Sequence, residues 1–147
     1  TFSSIPSTYT HLQIRVFAFG SSATAYDSYL RVNGDSGTNY SWHDLYGNGT
    51  SVGARGYANQ TQAMVDTDGA RTTYPDVAII DILDYANTNK YKTFRNLTGL
   101  DTNGGGAVTI KSGLWRNTNA ITSLTISIGT GTFAQYSHFA LYGIKVA

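Results

Sequence analysis

Apolar and polar residues alternate with a period of two along most of this chain, which is the signature of half-buried strands. The clearest case runs from His11 to Phe19. Leu12, Ile14, Val16 and Ala18 point one way, and Gln13, Arg15, Phe17 and Phe19 point the other. A second strand is expected over Tyr29 to Asn33, with Leu30 and Val32 buried, followed by the turn Asn33-Gly34-Asp35-Ser36-Gly37. Thr38 to Tyr46 reads as a returning strand with Tyr40, Trp42 and Asp44 on one face. Val77 to Asp84 sets Val77, Ile79 and Asp81 against Ala78, Ile80 and Ile82. Lys90 to Leu97 sets Tyr91, Thr93, Arg95 and Leu97 against Lys92, Phe94 and Asn96.

Ala107 to Lys111, Ile121 to Ile128 and Gln135 to Val146 complete the set. Gly47 to Arg71 is the least regular stretch and reads as a long connection with one or two short strands, one of them at Met64 and Val65, and a mobile surface loop. About eight antiparallel strands, separated by turn signals and with no convincing helix, predict an all-β fold. The form expected is a β-sandwich of jelly-roll type. A chain of 147 residues fits one domain, residues 1–147, with enough length for a core.

Composition sharpens this picture. All nine acidic residues are Asp and none is Glu, which removes a good helix former and leaves a turn former. Charged residues make up only 13% of the chain and the formal net charge is +1, so no electrostatic footprint for nucleic acid is present. No apolar run is long enough to span a membrane as a helix. With no cysteine, neither a disulfide nor a thiolate metal site is available.

Catalytic chemistry finds little local support. Asp81 and Asp84 stand three apart on one strand, so they face opposite sides and cannot form the carboxyl pair of a glycosidase. Neither a G-x-S-x-G elbow nor a phosphate-binding glycine loop occurs. His11, His43 and His138 are far apart and lack ligand spacing. Asp35, Asp66 and Asp68 sit in turns and are weak calcium candidates, because no twelve-residue calcium loop surrounds them. No cofactor and no catalytic residue is expected, and the chain reads as non-enzymatic. Aromatic rings beside Asn and Asp suit sugar contacts, which makes Tyr40, Trp42, Tyr46, Tyr57, Tyr85, Tyr91 and Trp115 the glycan-binding candidates. The plainer reading of the same rings is core or subunit interface.

Several strings carry a resemblance. They include Phe2-Ser3-Ser4-Ile5-Pro6, Leu30-Arg31-Val32-Asn33-Gly34-Asp35, His43-Asp44-Leu45-Tyr46-Gly47-Asn48-Gly49, Ile80-Asp81-Ile82-Leu83-Asp84-Tyr85, Lys90-Tyr91-Lys92-Thr93 and Ser112-Gly113-Leu114-Trp115. The most distinctive is Phe133-Ala134-Gln135-Tyr136-Ser137 running into Phe139-Ala140-Leu141-Tyr142-Gly143-Ile144-Lys145, which fits a domain at the C-terminus of a longer chain. Together they resemble small β-sandwich domains of tailed-bacteriophage and environmental viral structural proteins. The resemblance implies a component of the virion surface, either a capsid decoration protein or part of a tail fibre or spike. It implies other virion proteins as partners and a homo-oligomer, with a trimer favoured. The alternative is a lectin-like, receptor-binding module that recognises host cell-surface glycans.

Overall fold

The computed structural model describes residues 1–66 and 69–146. Among the described residues there are ten strands: β1 (His11–Ala18), β2 (Ser28–Val32), β3 (Tyr40–Gly47), β4 (Val52–Gln60), β5 (Ala63–Asp66), β6 (Asp76–Leu83), β7 (Lys92–Asp101), β8 (Gly106–Trp115), β9 (Leu124–Ile128) and β10 (His138–Ile144). A seven-stranded sheet has the order β10-β1-β6-β7-β8-β3-β4, and a three-stranded sheet the order β5-β2-β9. Every pairing is antiparallel. The fold is all-β, and the two sheets pack as a β-sandwich. Its ten strands divide seven and three.

One core lies between the sheets. Leu12, Ile14 and Val16 of β1, Ile80 and Ile82 of β6, and Phe94 of β7 meet Leu30 and Val32 of β2, Val65 of β5 and Leu124 of β9. The period-two pattern orients these side chains, since a slip of one residue would turn each strand's apolar set outward. The Asn96 amide also ties the layers together, donating to the Met64 and Val65 carbonyls of β5 at 3.2 and 3.1 Å.

Two expectations are corrected. The Asn33-Gly34 turn forms, with φ of 50° and 69° and a 2.8 Å bond from the Asp35 N–H to the Val32 carbonyl. It does not return the chain beside β2, however, but delivers it into the other sheet. The Asp35 carboxylate holds this crossover by accepting from Gly37 N at 2.8 Å, Asn39 Nδ2 at 2.9 Å and Trp115 Nε1 at 2.7 Å. The second correction is β4, a nine-residue edge strand inside the stretch read as irregular. Its glycines hide its β character but serve it. A Cβ on Gly53 would fall 2.5 Å from the Tyr46 hydroxyl, and one on Gly56 would fall 2.6 Å from the His43 ring. The bare backbone lets both cross-strand rings lie flat over β4.

Candidate functional site

The seven aromatic candidates separate by depth. Tyr40, Tyr85 and Trp115 belong to the core, so no surface ligand reaches them. Each uses its polar atom inside the protein: the Tyr40 hydroxyl with the Asp35 carbonyl at 3.0 Å, the Tyr85 hydroxyl with the Pro6 carbonyl, and the Trp115 indole with Asp35. Buried Tyr and Trp require such partners. Tyr91 is exposed just before β7, away from the other candidates. Tyr46 lies over Gly53, with the Arg55 guanidinium 4.5 Å from its ring centroid.

Trp42 and Tyr57 come together. They are cross-strand partners on β3 and β4, with ring centroids 4.5 Å apart and a 32° tilt. Trp42 is only 5% exposed, while Tyr57 is 48% exposed and forms the outer wall of a cleft of about 320 Å³. Asp27 and Tyr29 line the cleft from beside and on β2, Arg55 from β4, and Gln62 and Met64 from around β5. The Tyr29 hydroxyl donates to Asp27 at 3.2 Å. Burial pushes the Asp27 carboxyl above its ordinary value against the lowering effect of that bond, and the charge of Asp66 adds to the rise.

Behind the cleft lies a polar layer. Asp44 is buried and accepts from Arg55 at 2.9 and 3.2 Å and from Lys111 Nζ at 2.9 Å. Burial raises its pKa, but the bonds from Arg55 and Lys111 outweigh that and hold the carboxyl below its ordinary value. Lys111 is also buried, and its ammonium stands 5.7 Å from the Trp42 ring. Further in, Asp66 accepts from Thr98 at 3.0 Å and sits beside Asp76. Burial, then the charge of Asp66, then a hydrogen bond between the two carboxyls push Asp76 up to about 9.

Both carboxyls are buried, Asp76 at 1% and Asp66 at 4% exposure, so the pair lies away from the solvent-facing cleft. Of the weak calcium candidates, Asp35 is committed to the crossover and Asp66 to Thr98 and Asp76, while Asp68 lies outside the described residues. Among the described residues no group of three or more His or Asp side chains is placed to hold a metal ion.

A second surface was not singled out from the sequence. The outer face of the seven-stranded sheet carries two neighbouring apolar rows. One runs Phe17, Val77, Gly99, Val108, Gly47, Val52, and the next runs Arg15, Ile79, Leu97, Ile110, Leu45, Ala54. The large apolar side chains in these rows are 38% to 84% exposed. Gly99 carries no side chain between Val77 and Val108, and a shallow apolar depression of about 370 Å³ forms there. A third row, Gln13, Asp81, Arg95, Ser112, His43, is polar and borders the apolar ones.

The signal was present in the sequence, because Val77 to Ile82 is apolar on both faces apart from Asp81. Such a run marks a strand covered on both sides. A search of protein-family models, of curated proteins and of solved structures finds no match to this chain.

Proposed function

We propose that this chain is a non-enzymatic structural domain exposed on the surface of a virus particle, as a capsid decoration protein or as part of a tail fibre or spike. In this reading it is held in place by packing the outer face of its seven-stranded sheet against a second copy of itself. The observation that carries the reading is the pair of exposed apolar rows. A sheet face turned to water normally alternates to polar residues, and contiguous exposed apolar surface marks an interaction site.

Size and charge favour a second copy as the occupant. Seven strands about 4.8 Å apart and about seven residues long span roughly 34 by 24 Å, or ~800 Å². A stable interface covers about 800 Å² on each partner, with an apolar centre and a polar rim. Asp81 and Arg95 are directly opposed on adjacent strands of the rim row, and Gln13 donates to Asp81 at 2.9 Å. A twofold-related copy would present the same pair reversed, so each charge could meet its opposite. The cations beside the apolar rows, Arg15 and Arg95, are accompanied by Asp81, so the face carries little net charge to draw it to an anionic lipid surface.

The virion assignment rests on the strings that resemble viral structural domains, which include strand residues of both layers. Its test is immunogold electron microscopy of purified particles with antibody against this domain. Regular labelling of the head, or labelling confined to fibre tips, is the expected result. Particles that bind no antibody overturn the virion reading.

A further inference from the structure

We propose that the cleft between β4 and β5 is a binding site for a single neutral pyranose ring, stacked on Tyr57 and hydrogen-bonded by Asp27 and Gln62. The site goes beyond the assembly reading and uses none of the residues of the outer face.

Three features identify the ligand class. The first is the platform. Tyr57 stacks on Trp42 with ring centroids 4.5 Å apart, is 48% exposed and lines the cleft. A ring already fixed by its neighbour loses little freedom on binding. Its exposed part suits the C–H face of a sugar.

The second feature is the polar set. The Tyr29 hydroxyl occupies Asp27 Oδ2, which leaves Oδ1 to accept from ligand hydroxyls. Gln62 Oε1 accepts from Arg31 Nη2 at 3.1 Å, which leaves its amide nitrogen to donate. One acceptor and one donor beside an aromatic face match adjacent hydroxyls on a pyranose.

The third feature is charge. Arg55 is held by both oxygens of Asp44, and Lys111 donates to the same carboxylate. With Asp27, and with Arg31 on Gln62 and Asp66 near Asp27 counted as well, the formal charges sum to zero, so neither an anion nor a cation is favoured. The cleft of about 320 Å³ is at the small end of ligand sites, which limits the occupant to about one ring. A ligand of roughly a dozen heavy atoms then binds at about millimolar affinity.

The experiment is an amide NMR titration of the ¹⁵N-labelled chain with the methyl glycosides of glucose, galactose, mannose and N-acetylglucosamine. N-acetylneuraminic acid and inorganic sulfate serve as anionic probes. At least one neutral glycoside is expected to give saturable shifts at Tyr57, Gln62, Met64 and the Trp42 indole. Tyr57→Ala should weaken that binding roughly tenfold, and Tyr57→Phe should retain it. If Tyr57→Ala does not fold, Gln62→Ala, which leaves the stacked rings intact, is expected to weaken binding as well. The proposal is overturned if no neutral glycoside gives saturable shifts. It is also overturned if the shifts survive these substitutions, or if only the anions bind.

Discussion

Replacing Asp76 by asparagine is expected to flatten the pH dependence of this fold. Asp76 is 1% exposed, and burial, the charge of Asp66 and the bond between the two carboxyls raise its pKa from 3.8 to about 9. In the unfolded chain the same carboxyl ionises near its ordinary value. Between those limits the folded state holds one more proton than the unfolded state. The stability Asp76 contributes is therefore fully present below the unfolded pKa and is lost as pH rises through the folded one.

The slope is ~1.4 kcal/mol per pH unit, so moving from about pH 5 to about pH 8 removes ~4 kcal/mol. A domain typically has only ~5–15 kcal/mol in total. Asp44 acts in the opposite sense: its lowered pKa gives stability that is lost only as pH falls below the ordinary carboxyl range, outside this window. The amide introduced by Asp76→Asn cannot ionise, but it can still donate to Asp66. Urea denaturation followed by tryptophan fluorescence at several pH values is the assay. The wild-type midpoint should fall steadily with rising pH, and the Asp76→Asn midpoint should fall less steeply, keeping only the smaller contribution of the raised Asp27 carboxyl, and exceed the wild type at pH 8. A wild type whose stability is flat or rising over this range, or a variant that keeps the full slope, would refute the reasoning.

Lys111→Met should destabilise the fold by ~1.5–3 kcal/mol, because buried Asp44 loses one of its cationic partners while keeping Arg55. Combining it with Asp44→Asn should restore part of that loss in the same denaturation assay. Trp115→Phe removes the 2.7 Å indole bond to Asp35 and should cost ~1.5–3 kcal/mol. Its amide-exchange signature should be faster exchange at Gly37 and Asn39, in the crossover that Asp35 holds.

The strand pattern was legible wherever one face of a strand is buried and the other wet. Alternation alone places Lys92 with Phe94 and Asn96, and the structure buries all three on the inner face. Its ammonium is satisfied there by the carbonyls of Asn87, Lys90 and Thr118. What alternation does not carry is which strand lies across the sandwich. Tyr40 and Tyr57 are the same residue type on neighbouring strands, yet Tyr40 lies fully inside and Tyr57 is the wall of a cleft at the sheet edge.

The edge itself was missed because Val52 to Gln60 holds two glycines and no continuous apolar face. Those glycines make sense only once Tyr46 and His43 are seen lying over them. The outer face was missed for a different reason. Alternation places Val77 and Ile79 on one side of their strand, but only the register of β6, β7, β8 and β3 shows that they continue into Leu97, Val108, Ile110 and Leu45.

The most direct test of the central claim is the mass of the chain in solution, measured by sedimentation equilibrium over a range of concentrations. The account predicts a concentration-dependent oligomer for the wild type. For the double variant Leu97→Lys and Ile110→Lys, it predicts a folded monomer of about 15.9 kDa, since both side chains are exposed and carry little of the fold's stability. A wild type that stays monomeric at high concentration, or a double variant that associates as strongly as the wild type, would contradict it.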